Sequence, residues 1–253
     1  MVRASCPLII QGRARCPSHK IGSSFLWSSH KATKTLAIGV RRITNIGTKK
    51  VIGKFPSMKM NTIIWWESQI ERDYIYLLEI DPSVESYKGQ PFKIHYTLRG
   101  SCRSYTPDFW VTRPDRQQVV EVKPASKFND ASNIDKWRHI AVWCEEQNME
   151  FMVVTDVMIR QQPKLDNIKL LYKYARTPLT IQNYLDCQRY FISVSSIPLN
   201  DACLDLKKLG IEKSILFKLL YFGLIEIDLT QPITANSLIK LSPNPGNFQS
   251  LIS

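Results

Sequence analysis

Two short segments on either side of a polar turn place the strongest constraint on how this chain can fold. The segments read YTPDFWVT and QQVVEVK, and the turn between them contains Pro114–Arg116. Both segments are rich in β-branched and aromatic residues, which favour strands. They nevertheless carry Asp108, Glu121 and Lys123, and a charge on a strand must either face water or meet an opposite charge. The two segments therefore predict paired strands with two chemically different faces.

Alternate residues of a strand share a face, so the two faces can be assigned from the spacing. When the strands lie side by side, Asp108, Glu121 and Lys123 can meet on one patch. The apolar residues assigned to the opposite, packed face are Phe109, Val111, Val120 and Val122. An alternative remains open, because surface strands often alternate Glu and Lys simply when one face is solvated.

A third carboxylate comes from an upstream segment in which apolar residues recur at helical spacing. Residues 61–81, NTIIWWESQIERDYIYLLEID, predict one helix that is closed by Pro82. Glu71 lies on the apolar stripe of this helix, which should face the sheet. The neighbours that define the stripe are Ile64, Tyr74, Ile75 and Leu78. Glu67 shares part of the same face and is an alternative to Glu71.

Carboxylates that face a core need a cation to compensate their charge. Glu71, Asp108 and Glu121 would supply hard oxygen ligands, which suit Mg²⁺ or, as a substitute, Mn²⁺. Lys123 would lie close to such a metal, where an ammonium can orient or deprotonate an attacking water and balance charge on a phosphoryl transition state. The pattern predicts a metal-dependent active site that acts on a phosphodiester.

The order of predicted elements indicates two folded units of different class. A helix, an antiparallel meander of four strands, a second helix and a further strand predict a small α/β domain over residues 51–176. Thr177–Pro178 marks a boundary, after which three helices and a two-stranded hairpin predict a winged-helix-like domain over residues 177–253, ending in an unstructured tail. A generic helical bundle is the alternative. This region holds 6 basic and 6 acidic residues after Thr177, so protein docking competes with DNA reading as its role.

The excess positive charge of the chain is confined to its N-terminal part. The net charge is +12, and residues 1–60 hold 12 Lys or Arg residues and no Asp or Glu. Residues 1–50 are therefore predicted to be a basic, flexible extension that grips phosphates. A disordered tail, an organelle transit peptide and an over-long gene model are alternatives. The six cysteines contain no CxxC pair, and no apolar run is long enough to span a bilayer, which favours a soluble protein in a reducing compartment.

These residues resemble a known family of nucleases. The set Pro107-Asp108, Glu121-Val-Lys123, preceded by a helix that bears Glu71, resembles the PD-(D/E)xK superfamily and its restriction-endonuclease-like fold. More narrowly, IGKFPSMKM, WESQIERDYIYLLEIDPSVESYKGQP, YTPDF and VEVKP are similar to TnsA, the endonuclease subunit of heteromeric transposases of the Tn-seven type, including CRISPR-associated ones. The similarity runs from about residue 51 to residue 174. Residues 1–40 resemble no family member.

The resemblance implies a fold, an activity and a set of partners. It implies a catalytic α/β domain with a mixed central sheet flanked by helices, in which Glu71, Asp108 and Glu121 bind the metal and Lys123 is the catalytic lysine. It implies cleavage of double-stranded DNA at the 5′ ends of a mobile element, in the bacterial cytoplasm. The implied partners are a TnsB-like DDE transposase, which processes the 3′ ends, and a TnsC-like AAA+ regulator; no membrane is involved.

Two other functions remain as alternatives. A stand-alone restriction or repair nuclease could carry the same residues, and a neighbouring methyltransferase gene would favour it. Neighbouring transposase and AAA+ genes would favour the transposon function instead. A non-catalytic DNA-binding or adaptor subunit is the second alternative, although such a protein has no reason to keep a cluster of buried charges.

Overall fold

The computed structural model describes residues 51–243 as alternating strands and helices. The predicted extension, residues 1–50, and the predicted tail, residues 244–253, lie outside the described residues. The strands are β1 Gly53–Ser57, β2 Thr62–Trp66, β3 Ser86–Gly89, β4 Ile94–Leu98, β5 Ser101–Tyr105, β6 Phe109–Thr112, β7 Gln117–Lys123, β8 Glu150–Thr155, β9 Ile197–Pro198, β10 Ile225–Ile227 and β11 Leu238–Leu241. The α-helices are α1 Gln69–Ile80, α2 Ala131–Glu146, α3 Asp156–Ile159, α4 Lys164–Tyr172, α5 Ile181–Ser193, α6 Leu199–Lys207 and α7 Lys213–Tyr221.

A mixed four-stranded sheet forms the centre of the first unit. Its strand order is β3-β6-β7-β8, in which β7 and β8 are parallel and the other pairs antiparallel. Phe109 of β6 lies opposite Val120 of β7, so the two strands pair side by side as their sequences predict. The prediction of an α/β fold with a mixed central sheet is confirmed. Between residues 51 and 243, no helix has the length and apolar character needed to cross a membrane.

Helices cover both faces of this sheet. Side chains buried between the sheet and α1 include Tyr74, Ile75 and Leu78 from the helix and Phe109, Val111, Val120 and Val122 from the strands. Side chains buried on the opposite face include Val119, Phe151 and Val153 from the sheet and Trp137, Ile140 and Cys144 from α2. The predicted apolar face is therefore packed, but the face that carries Glu121 is covered as well.

The prediction of one helix over residues 61–81 is wrong for its first part. That part forms β2, which pairs with β1 in a separate antiparallel hairpin. Burial along β2 alternates, since Ile64 and Trp66 are buried whereas Ile63 and Trp65 are exposed. The run TIIWW therefore has the period of a strand, for which its β-branched and aromatic residues are suited.

The predicted meander is also wrong in its connections. β3 pairs directly with β6, while β4 and β5 form a hairpin of their own outside the central sheet. The segment YTPDFWVT is two elements, because β5 ends at Tyr105 and β6 begins at Phe109. Pro107 lies in the break, where it has no N–H to donate to a ladder. Asp108 consequently precedes β6 and is not part of a regular strand.

The C-terminal unit, here α5 to β11, contains the predicted three helices and hairpin. It also contains β9, which the sequence did not indicate, and which pairs with β11 to give a three-stranded antiparallel sheet of order β10-β11-β9. Leu171 of α4 and Ala175 belong to the same hydrophobic core as α6 and α7. The predicted boundary after residue 176 stays a prediction, and the core of the C-terminal unit extends across it.

A buried carboxylate joins the two units. Glu79 of α1 is 5% exposed and accepts hydrogen bonds from the hydroxyls of Ser57 at 2.5 Å, Tyr87 at 2.6 Å and Tyr221 at 3.2 Å. Backbone N–H groups of Met58 and Lys59 donate to the same carboxylate, at 2.9 Å and 3.2 Å. Because Tyr221 ends α7, this set of bonds connects the C-terminal unit to α1 and to the β1–β2 hairpin.

We expect Glu79→Gln to destabilise the fold by about 3 kcal/mol. The amide nitrogen cannot accept a hydrogen bond, so donors now bonded to one carboxylate oxygen would be left buried without a partner. Urea unfolding measures the change in the free energy of unfolding. The matched control is Glu85→Gln at an exposed position. This substitution should change the free energy of unfolding by less than about 0.5 kcal/mol. Equal effects of the two substitutions would contradict the role assigned to Glu79.

Candidate active site

The charged residues predicted to act together meet at one edge of the central sheet, where β7 ends. Glu121 and Lys123 are among the last three residues of β7, and Asp108 lies just before the neighbouring strand β6. The carboxylate of Asp108 accepts a hydrogen bond from the backbone N–H of Val122, at 2.7 Å. Asp108 is therefore held beside the backbone that links Glu121 to Lys123.

Glu121 is the most deeply buried member of the site, with 2% of its surface exposed. One carboxylate oxygen, Oε1, lies 2.9 Å from Nζ of Lys123 and 3.5 Å from Nζ of Lys136. The other oxygen, Oε2, accepts a hydrogen bond from the hydroxyl of Tyr105. A residue with this burial does not lie on a solvated strand face, so that alternative does not apply to Glu121.

The carboxylates influence one another electrostatically. Burial raises the pKa of Asp108 well above its ordinary value, and the negative charges of Glu121 and Glu71 raise the same pKa further. Burial also raises the pKa of Glu71, although hydrogen bonds from Glu67 and Ser68 oppose that rise. Asp108 thus lies near enough to Glu121 and Glu71 for their negative charges to disfavour its ionised form.

Lys123 responds to the same charges in the opposite direction. Burial by itself would lower the pKa of Lys123, but the carboxylates of Glu121, Asp108 and Glu71 outweigh burial and raise that pKa. The ammonium form is therefore favoured. A divalent cation bound by the same carboxylates would remove much of this effect, because it would neutralise their charge.

Glu71 has a structural task at the start of α1. Ser68 is the N-cap of the helix, and its hydroxyl accepts from the backbone N–H of Glu71 at 3.1 Å. In return the carboxylate of Glu71 accepts from the Ser68 hydroxyl and from the backbone N–H of Glu67, both at 2.8 Å. This reciprocal arrangement is related to a capping box. The alternative residue, Glu67, accepts from the side-chain amide of Gln90 at 2.8 Å.

The donor set fits a hard divalent cation in its chemistry, since it consists of carboxylate oxygens whose charges are only partly compensated. Within residues 51–243, however, no group of three or more His, Cys, Asp or Glu side chains is positioned to hold a metal ion. Two of the predicted ligands, Glu71 and Glu121, have carboxylates that are bonded to donors of the protein itself. The assignment of Glu71, Asp108 and Glu121 as ligands therefore stays a prediction.

Sequence reasoning missed three residues that complete this arrangement: Tyr105, Lys136 and Ser68. Signals for two of them were present. Ser68 precedes Glu71 by three residues, which is the spacing of a capping box. Lys136 lies one helical turn before Ile140, which is buried, so it extends the apolar stripe of α2 that faces the sheet. No comparable signal marks Tyr105, whose contact with Glu121 depends on where the β4–β5 hairpin packs.

The mixed sheet brings buried carboxylates and a lysine together where β7 ends. In a comparison with protein families, residues 81–156 match the family described as TnsA-like endonuclease N terminal. The match confirms, over these residues, the resemblance indicated by the sequence motifs. It includes Asp108, Glu121 and Lys123, whereas Glu71 lies before it. No curated protein matches the chain significantly.

Proposed function

We propose that this protein is a metal-dependent DNA endonuclease that cleaves the 5′ ends of a mobile element during cut-and-paste transposition. One observation carries the proposal: Asp108, Glu121 and Lys123 lie inside the residues that match a TnsA-like endonuclease domain, and they meet at one edge of the sheet. Burial of Glu121 supports an active site over a solvated surface, because an unused buried charge would only destabilise the fold.

Each residue has a distinct role in the proposed reaction. Glu71, Asp108 and Glu121 would hold Mg²⁺ or Mn²⁺, and the bound metal would lower the pKa of a water and stabilise charge on the phosphoryl group. Lys123 would orient the attacking water and neutralise charge on the phosphate. Its raised pKa supports an ammonium in this role. Glu71 would have to exchange its bonds with Ser68 and Glu67 for a bond to the metal.

The C-terminal unit is proposed to be a winged-helix-like domain that couples cleavage to a larger complex. The order helix, strand, helix, helix and hairpin, with a three-stranded antiparallel sheet, supports this assignment. The balance of 6 acidic and 6 basic residues after Thr177 favours a protein partner over DNA for this unit. The proposed partners are a TnsB-like DDE transposase and a TnsC-like AAA+ regulator, together with double-stranded DNA at the transposon ends.

Mapping of cleavage products tests the proposed function. The full chain is supplied with transposase and regulator from the same gene neighbourhood and with a plasmid that carries the element ends. We expect cuts at the 5′ ends that require Mg²⁺ or Mn²⁺ and disappear with a chelator. Cleavage of DNA without element ends and without partners would instead support a stand-alone nuclease. Complete inactivity, with DNA binding retained, would support an adaptor.

The N-terminal residues provide a further prediction. Deletion of residues 1–50 removes ten Lys or Arg residues and no acidic residue, so we expect weaker DNA binding with a shallower dependence on salt. Each phosphate contact that is lost reduces the slope of log affinity against log salt by about one. Binding titrations at several salt concentrations measure this slope. An unchanged slope would return the segment to one of its other interpretations, a transit peptide or an over-long gene model.

A further inference from the structure

Two ammonium groups share one oxygen of Glu121. Nζ of Lys123 lies 2.9 Å from Oε1, and Nζ of Lys136 lies 3.5 Å from the same atom. Lys123 belongs to the nuclease motif, but Lys136 comes from a different element, α2, and has no place in that motif. A second cation on a buried carboxylate that is predicted to bind metal requires an explanation.

Lys136 is held in this place by packing. Its ammonium lies 5.3 Å from the ring centre of Tyr105 and 5.7 Å from that of Trp137, distances at which a cation is attracted to an aromatic face. The hydroxyl of the same Tyr105 donates to Glu121. Trp137 and Ile140 are 1% and 0% exposed, so they fix α2 against the sheet. The side chain of Lys136 retains 23% exposure, which leaves it a route away from Glu121.

The charges explain what Lys136 does for Glu121. Glu121 is 2% exposed, and a buried carboxylate requires compensation of its charge. Lys136 supplies a positive charge at Oε1 of Glu121, a carboxylate that is predicted to bind the divalent cation. The ammonium of Lys136 and a metal ion at the same carboxylate would repel each other, because both are positively charged. Each would therefore weaken the binding of the other to Glu121.

We propose that Lys136 is a positioning residue that competes with the divalent cation for Glu121 and so sets the metal affinity of the site. This inference rests on the proposed nuclease function, and it adds a form of regulation to the same site. Lys136 helps to neutralise Glu121 until the metal displaces it, and the side chain, which is 23% exposed, can then move toward solvent.

Calorimetric titration of the full chain with Mn²⁺ tests the proposal. DNA is left out, so that no cleavage takes place during the measurement. We expect Lys136→Met to bind Mn²⁺ about fivefold more tightly than the wild type, because one nearby positive charge is removed. Lys136→Arg retains the charge and should bind Mn²⁺ with an affinity close to that of the wild type. The matched control is Lys127→Met, at an exposed lysine paired with Asp130, which should change the affinity by less than twofold.

The outcomes separate this inference from the proposed function. A lysine that serves only to hold the fold predicts weaker or unchanged Mn²⁺ binding in Lys136→Met, and either result would overturn the inference. If Lys136→Met does not fold, as judged by its thermal melt, Lys136→Gln takes its place with the same expected result. A wild-type protein that binds no Mn²⁺ would overturn the proposed function together with the inference. Mn²⁺ binding that is equal in wild type and variant would overturn the inference alone.

Discussion

Lys123→Ala is expected to abolish cleavage at the 5′ ends while leaving the fold and the metal site in place. The ammonium of Lys123 lies 2.9 Å from Glu121, beside the site where charge would develop on the phosphate. Loss of one preorganised group that stabilises such charge lowers the rate by about 10²–10³. A separate subunit is proposed to process the 3′ ends, so these should still be cut and joined. The product is then a fused co-integrate in place of clean excision.

Product mapping on a donor plasmid, with the partner proteins supplied, distinguishes the two outcomes. The matched control is Lys88→Ala, which removes an exposed lysine from β3 and should leave clean excision intact. Lys123→Arg tests whether charge alone is sufficient, and we expect it to recover only part of the activity, since a guanidinium differs in shape and hydration. Clean excision by Lys123→Ala would remove Lys123 from the catalytic machinery.

Asp108→Asn is expected to raise stability in the absence of metal and to reduce the stabilisation that metal provides. Burial and the charges of Glu121 and Glu71 raise the pKa of Asp108, so ionisation of Asp108 destabilises the folded state relative to the unfolded state. Asparagine can still accept from the N–H of Val122 but carries no charge. Without metal, the variant should therefore melt about 2–4 °C above the wild type. With saturating Mn²⁺ the wild type should gain more than the variant, because a metal that binds only the folded state stabilises it by linkage.

Thermal melts of both proteins with and without Mn²⁺ measure these differences. Asp115→Asn is the matched control, because it removes a carboxylate that is 65% exposed in the turn before β7. That variant should show the wild-type shift with Mn²⁺. Equal Mn²⁺-induced shifts in wild type and Asp108→Asn would show that Asp108 does not contribute to a metal site.

The parts of the fold that follow from local spacing were predictable from the sequence. The faces of β6 and β7 follow from a period of two, and the order of α2, α5, α6 and α7 matches the predicted order of helices. The first part of residues 61–81 was not predictable in this way, because an apolar run before a helix can satisfy either period until its pairing with β1 is known. The separation of β4 and β5 from the central sheet depends on which strands pair over long distances, and no local signal specifies such pairing.

In the candidate site, too, the residues that local spacing brings together were predictable, whereas those that tertiary packing brings together were not. Asp108, Glu121 and Lys123 could be grouped from the sequence, since adjacent strands bring alternate residues together. The partners of Glu121 from other elements, Tyr105 and Lys136, depend on tertiary packing of a hairpin and a helix. The predicted burial of Glu71 is correct, but its cap interaction with Ser68 is an alternative reason for a glutamate at that position.

The hydrogen bonds to Glu79 limit which C-terminal units can replace the present one in a chimera or by recombination. Its acceptor oxygens are filled by groups from three separate stretches of chain, and one of these groups is the hydroxyl of Tyr221 near the C-terminal end. A chimera that takes its C-terminal unit from another protein must bring a hydroxyl to the same place or leave the junction weakened. Recombination between such proteins is then expected to preserve Glu79 and Tyr221 as a linked pair.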